Sequence, residues 1–308
     1  MKIPVIIERC SSYKPDQLLP EVDRVLASLD WPVSLRGARI MLKPNLISAR
    51  APALACTRAE FVAAAAVWFL EHGCRVAVGD SPALGRARTV MEEHGILQAL
   101  SGMDIDVVDF VTPRRCELAR GVRVSVAAEA LDCDLLVNLP KVKAHDQLYV
   151  TLAVKNLFGL VLGARKPWLH MRHGGTHACF AEILLSLVDL LPKQVVLADG
   201  VQVMTGHGPM WGTPFDLHCL AASVSPVALD TALLDLLELD PDRCPVHQAA
   251  RRQGVPGSAL QDLVFPRGAP AHFFGSGFEA PKRLVPVRFN PLRFMLGSLK
   301  RVVTTLKP

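Results

Sequence analysis

Residues 134–145 read DLLVNLPKVKAH. From Leu135 to Leu139 the run is Leu and Val with one Asn, the pattern of a strand covered on both faces. Pro140 ends that strand in this reading. Beyond it Lys141, Lys143 and His145 alternate along the chain. An extended backbone turns all three side chains to one side. Two lysines and a histidine on one side suit a carboxylate or phosphate. They also suit a proton-transfer pair in which one lysine has its pKa lowered by its neighbour. The competing reading is a solvated basic loop, and the next segment argues against it. In LAVKNLFGLVLG (152–163), Lys155 and Asn156 interrupt an otherwise apolar stretch. The spacing over 147–158 predicts a buried helix. A lysine between Val154 and Leu157 there needs an acidic partner or an anionic ligand.

Working outward, similar β-branched runs end in Asp, Asn, Lys or Gly. They are PVIIER (4–9), ARIMLKPN (38–45), RVAVGDSP (75–82), DIDVVDF (104–110), QVVLADG (194–200) and LHCLAASVSP (217–226). Helical patterns fall between them. Thr57 and Glu60 have the spacing of a capping box ahead of the run to Leu70, and Gly73 closes that helix. Residues 86–98 and 177–191 have helical spacing. Ser225 followed by Pro226 is an N-cap with proline at the first helical position, opening a helix to about Leu239. Alternating strands and helices predict an α/β fold, with a mainly parallel sheet flanked by helices. The expected organisation is one α/β catalytic or ligand-binding domain over 1–253, a Pro/Gly-rich irregular segment over 254–281, and a basic amphipathic tail over 282–308.

In an open parallel sheet, ligands bind beyond the carboxyl ends of the strands. The polar residues expected at those ends are Lys43, Asn45, Asp80, Ser81, Asn138, Lys141, Lys143, His145, Asp199 and Gly200. Buried unpaired charges are costly, so such a crowd implies mutual pairing or a ligand. Two loops add to it. GARKPWLHMRHGGTH (163–177) holds His170, His173 and His177, yet its glycines, arginines and lysine favour an anion-facing loop over a zinc site. MTGHGPMWGTP (204–214) lacks the spacing of a phosphate-binding loop. Its Gly206 and Gly208 would still let backbone approach a ligand closely.

Composition narrows the classes. The chain has 308 residues, a formal charge of +5 and 20% charged residues. Seven basic residues and no acidic one follow Pro281, which leaves the body slightly acidic. With 6% aromatics, that argues against a nucleic-acid binder. The eight cysteines include no CxxC, so no iron–sulfur or zinc-ribbon motif is present, and they read as reduced thiols of a cytoplasmic protein. The longest apolar run, FVAAAAVWFL (61–70), is too short to span a bilayer. The opening MKIPVIIERC has too short an apolar run for a signal peptide. In LRFMLGSLKRVVTTL (292–306) the apolar residues fall on one helical stripe and the basic ones off it. This C-terminal basic amphipathic helix would lie on an anionic membrane surface or pack on protein.

Several motifs together resemble the domain-of-unknown-function family 362. They are LKPNL (42–46), CT (56–57), VGDSP (78–82), VNLPKVKAH (137–145), KNLFGLVLG (155–163), His170, ADG (198–200), GHGP (206–209) and SPVALD (225–230). The resemblance implies a shared site made of Lys43, Asn45, Asp80, Asn138, Lys141, Lys143, His145, Lys155, Asn156, His170, Asp199 and Asp230. It also implies redox associations, because many members carry a ferredoxin-like domain. This chain departs there, since the cluster cysteines are absent. The His and Lys pattern around a glycine-rich segment is also faintly similar to lactate-racemase-like proteins.

The expected function is an enzyme acting on a small anionic substrate by redox or proton-transfer chemistry. Lys141, Lys143 and Lys155 hold the anion in this reading, and His145 or His170 moves a proton. Asp80, Asp199 and Asp230 orient the cations or hold a divalent metal. A separate electron-transfer partner would supply any electrons. The alternative is a non-catalytic ligand-binding module whose tail docks on a membrane or partner. The expected location is the cytoplasm, with the tail at the inner face of the membrane.

Overall fold

The apolar runs become strands. A computed structural model describes residues 2–162, 169 and 176–287. The strands are β1 (Ile3–Pro4), β2 (Ile6–Arg9), β3 (Arg39–Pro44), β4 (Arg75–Asp80), β5 (Ile105–Asp109), β6 (Pro113–Leu118) and β7 (Val122–Ala127). They continue as β8 (Leu135–Leu139), β9 (Lys141–His145), β10 (Tyr149–Thr151), β11 (Gln194–Thr205), β12 (Thr213–Ser223) and β13 (Leu263–Val264). Among the described residues, nine of them form the central sheet. Its order runs β5, β4, β3, β8, β11, and then through β12 to β2. The steps from β5 to β11 are all parallel, while β12 and β2 add antiparallel neighbours. The fold is α/β with a mainly parallel sheet, as the alternation of patterns predicts.

Both faces of the sheet are covered, which explains the unbroken apolar runs. In β8, Leu135, Val137 and Leu139 join a core with helices Pro15–Leu26 and Ala59–Glu71. Leu136 between them joins the opposite core, with helices His177–Leu185, Pro226–Leu236 and Pro245–Arg252. Each fully buried Leu or Phe in these layers contributes about 1.5–3 kcal/mol by removal from water.

The strand order reverses at β3. From it the chain steps outward to β4 and β5, and β8 then returns to the other side of β3. That makes the carboxyl ends of β3 and β8 the topological switch point. There Lys43 pairs in register with Asn138. Pro140 ends β8 but not the extended backbone. β9 carries on along the second half of β11, with Asp199 opposite Lys141 and Met204 opposite Lys143. β10 then folds back on β9 as a hairpin arm.

Four local expectations change. Residues 147–158 form β10, a single helical turn Ala153–Asn156 and a 3-10 turn, not one helix. The 86–98 helix is interrupted at Gly95, whose φ of 74° suits glycine, and splits into Ala87–Glu93 and Ile96–Ala99. The capping box does not form. Helix Ala59–Glu71 starts after Arg58 without a side-chain cap, and the Thr57 hydroxyl instead donates to the Leu139 carbonyl. Strand β11 runs on to Thr205 because β9 and β12 pair with it there. The Ser225 cap is present and accepts from the Ala228 N–H. Residues 254–281 are mostly turns, with β13 pairing to β1. The tail from 288 onward lies outside the described residues.

Candidate functional site

Lys43 and Asp80 end adjacent strands, and their charged atoms lie 2.9 Å apart with almost no exposure. Burial lowers the Lys43 pKa and the Asp80 charge opposes that shift. Asp80 Oδ2 also accepts from the Leu46 N–H at 3.1 Å. Gly159 closes over the pair. A Cβ at that position would collide with Asp80 Oδ1 and Lys43 Nζ, so the backbone can approach only as glycine.

A second pair lies deeper. Lys141 Nζ is 2.8 Å from Asp199 Oδ2, and neither side chain is exposed. Tyr13 completes it: its hydroxyl donates to Asp199 Oδ1 at 2.6 Å and accepts from Lys141 Nζ at 2.8 Å. The Arg58 N–H donates to Asp199 Oδ2 at 3.2 Å. Burial and the neighbouring Asp199 charge push the Tyr13 phenol upward, so it stays protonated. Every charge in this group is matched, as buried charges must be.

Lys143 is different. It is 1% exposed, and among the described residues no carboxylate pairs with it. Its Nζ donates to Asn45 Oδ1 and to the Ala55 carbonyl. Its pKa is lowered to about 7: burial lowers it most, the Lys155 and Lys141 charges act in the same sense, and Cys56 and Asp80 act in the opposite one. Asn45 links it to a chain of amides. Asn45 Nδ2 donates to Asn156 Oδ1 at 2.6 Å, Asn156 Nδ2 to Asn138 Oδ1 at 2.7 Å, and Asn138 Nδ2 to the Ala153 carbonyl at 2.9 Å. The turn carrying Asn156 is held from behind by Asp230, which accepts from the Ala153 and Val154 N–H groups at 2.7 and 3.2 Å. Burial raises Asp230 to about 7 against those two bonds.

Lys155 follows on the same turn. It packs over the Phe158 ring at 5.1 Å and pairs with no carboxylate among the described residues. Burial and the Lys43 charge lower it to about 8. His145 accepts the Gln147 and Leu148 N–H groups at Nδ1, both at 3.2 Å. In the neutral ring the proton therefore sits on Nε2, which makes that nitrogen a donor.

Several of these groups line one cavity of about 420 Å³, within the usual range for small-ligand sites. Its polar wall includes Asn45, Asp80, Lys143, His145, Lys155 and Asn156, with Ser81 and Thr151 beside them. Leu46, Ile47, Leu84 and Phe158 form an apolar wall. Thr151 stands opposite Lys143 in the β9–β10 ladder. Its hydroxyl is buried and has no hydrogen-bond partner among the described residues.

The expected convergence is therefore present, in two tiers. Asn45, Asp80, Ser81, Lys143, His145, Lys155 and Asn156 reach the cavity, while Lys43, Asn138, Lys141, Asp199 and Asp230 lie behind it as support. Asp80, Asp199 and Asp230 each bind a different partner, and among the described residues no group of three or more His, Cys, Asp or Glu is placed to hold a metal ion. Gly200 allows close approach to β12, where a Cβ would sit 2.7 Å from the Cys219 carbonyl oxygen. Gly206 adopts a φ of 81°. Gly208 presses its backbone on Ala144, and the next residue, Pro209, lines the cavity. His170 lies outside the described residues. Sequence reasoning missed Tyr13, Thr151 and Phe158. Tyr13 follows β2, which runs parallel to β11 through two antiparallel steps and so ends at the same edge of the sheet. No strand order is visible in the residues themselves.

The family described as "Domain of unknown function (DUF362)" matches residues 40–235. The "Thylakoid-associated protein sll1697" of Synechocystis sp. (strain ATCC 27184 / PCC 6803 / Kazusa) is 36% identical over 300 residues, which cover 96% of this chain and 93% of that protein. Among solved structures, the lactate racemase apoprotein from Thermoanaerobacterium thermosaccharolyticum aligns with a TM-score of 0.49 and 11% identity over 75% of this chain and 56% of its own. A Thermotoga maritima protein aligns with a TM-score of 0.44 and 8% identity, over 71% of this chain and 57% of its own. The chain thus spans a little over half the length of either structure.

Proposed function

The chain belongs to the family of the domain of unknown function 362, and from that premise we propose that it is an enzyme acting on a small anionic ligand by proton transfer through Lys143. One observation carries this reading. Lys143 is buried, lacks a carboxylate among the described residues, and lines a ligand-sized cavity beside Lys155. An amine with a pKa of about 7 is poised to accept and return a proton near neutral pH. Lys155, mostly protonated at that pH, supplies the charge for an anion. His145 stands at the same wall. Lys141–Asp199 and Lys43–Asp80 are positioning pairs that stiffen the strands carrying these groups.

Calorimetric titration with small carboxylates and phosphates tests the reading, comparing wild type with Lys143→Met and Lys155→Met. Loss of about tenfold or more in affinity in both variants is expected, since each removes a charge-assisted contact. A tight ligand bound equally by all three proteins would overturn it.

The relative's thylakoid-associated name supports a second reading, a peripheral membrane protein docked through its basic tail. No helix of the described residues is long and apolar enough to cross a membrane. Co-sedimentation with anionic vesicles separates the readings. The intact chain should pellet, and a chain ending at Glu279 should not. Equal behaviour of the two removes the tail from membrane binding.

A further inference from the structure

The cavity presents three kinds of contact in one place, and together they define a ligand more closely than its charge alone. Lys143 Nζ already donates to Asn45 Oδ1 and the Ala55 carbonyl. A neutral amine has two N–H bonds and one lone pair. With both N–H bonds engaged in those two contacts, the lone pair is the remaining position, and Lys143 lines the cavity. Across the β9–β10 ladder the buried Thr151 hydroxyl lacks a partner among the described residues, although it lines the same cavity. A buried hydroxyl left unpaired is costly, so it points to a ligand atom that pairs with it. Lys155 supplies a cation at the same wall, and Ile47, Leu84 and Phe158 supply an apolar surface.

We propose that Lys143 captures a 2-oxo acid with an apolar side chain as an imine. This makes Lys143 the nucleophile in place of the proton acceptor, and it rests on the same cavity being an anion site. The carboxylate sits against Lys155, the side chain against Ile47, Leu84 and Phe158, and the carbonyl oxygen takes the Thr151 hydroxyl. The Nζ lone pair forms a bond to the carbonyl carbon while the carbon–oxygen π pair moves to oxygen. Two protons leave nitrogen for that oxygen, water departs, and the carbon–nitrogen double bond closes. Amine and carbonyl thus give imine and water, with no change of oxidation state. Desolvation beside a second cation is a known way to keep a lysine nucleophilic. Protonated from solvent, the imine draws electrons from the neighbouring carbon–hydrogen bond, which makes that proton removable.

The test incubates the full chain with phenylpyruvate and cyanoborohydride, followed by intact mass and peptide mapping. A reduced adduct confined to Lys143 is expected, formed faster with phenylpyruvate than with pyruvate. Lys155→Met should slow it by about tenfold or more through loss of the carboxylate contact. Adducts spread over surface lysines, or a rate untouched by Lys155→Met, would overturn the proposal. Phenyllactate, which has the carboxylate and no ketone, separates the two levels. If it binds saturably while phenylpyruvate leaves Lys143 unmodified, the imine fails and the anion site stands. If neither compound binds or reacts, both fail. The mapping uses wild-type protein, so it does not depend on a lysine variant folding.

Discussion

Lys143 and Asn45 share one hydrogen bond, from Nζ to Oδ1, and through it the amine in the cavity is tied to the protein interior. Asn45 passes the contact to Asn156 and Asn156 passes it to Asn138. Each amide orients the next, because an amide must present its oxygen to one neighbour and its nitrogen to the other. The position of Lys143 therefore depends in part on Asn138, which lies behind the cavity.

Asn156 is the middle of that chain, so its loss should be felt at both ends. Asn156→Ala leaves the Asn138 oxygen and the Asn45 amide unpaired, at about 1–3 kcal/mol each. The expected outcome is a large drop in urea midpoint, together with weaker ligand binding. Asn156→Asp keeps the acceptor toward Asn45 and loses the donor to Asn138, and should fall between. Urea titrations of the two variants check the order.

The Lys141–Asp199 pair should behave asymmetrically. Lys141→Met alone leaves a buried carboxylate with only Tyr13 and the Arg58 N–H, and should cost about 3–5 kcal/mol. The double variant Lys141→Met, Asp199→Leu removes both charges and should recover much of that loss. A double variant as unstable as the sum of the singles would contradict this account of the pair.

Gly159→Ala should be among the most damaging small substitutions in the chain. Its methyl group would overlap Asp80 Oδ1, Lys43 Nζ and Lys43 Cε, and so would have to displace the Lys43–Asp80 pair. Overpacking of this kind costs about 1–3 kcal/mol or more. Thermal unfolding should show the drop, whereas Gly102→Ala, with open space around its Cβ position and a strained φ of 80°, should cost less.

The lowered pKa of Lys143 also predicts a pH dependence of stability. Below about pH 7 the amine is protonated in both states, and the folded state carries the full desolvation cost. Between about pH 7 and pH 10 the unfolded chain holds that proton and the folded chain does not, so stability rises with pH. Cys56, Lys155, Lys141 and Asp80 also act on this amine and are common to wild type and variant. Lys143→Met removes the titration. Its stability relative to wild type should be best near about pH 6 and decline by up to about 4 kcal/mol toward about pH 10. A difference that does not change with pH would contradict the shift.

Much of this site was legible in the residues. Apolar runs ending in Lys43, Asp80, Asn138 and Asp199 placed those groups at one edge once the strands were taken as parallel. The alternation of Lys141 and Lys143 gave their common side. The residues did not show that Lys141 finds a carboxylate and Lys143 does not, because that depends on which strand lies next to β9. Nor did they show the break at 147–158. Its apolar spacing fits a helix, but pairing of β10 with β9 gives Val150 and Thr151 a better ladder. Thr57 had the spacing of a cap, yet the Leu139 carbonyl and the Asn45 N–H compete for its hydroxyl across the sheet edge.

The most direct test of the central claim is the titration of Lys143 itself. Selective carbon-13 labelling at lysine Cε, with the resonance assigned by Lys143→Arg, reads its protonation state in the intact protein. The expected midpoint lies near 7, well below the ordinary 10.5, and moves upward when an anion occupies the cavity. A midpoint near 10.5, unmoved by any ligand, would contradict it.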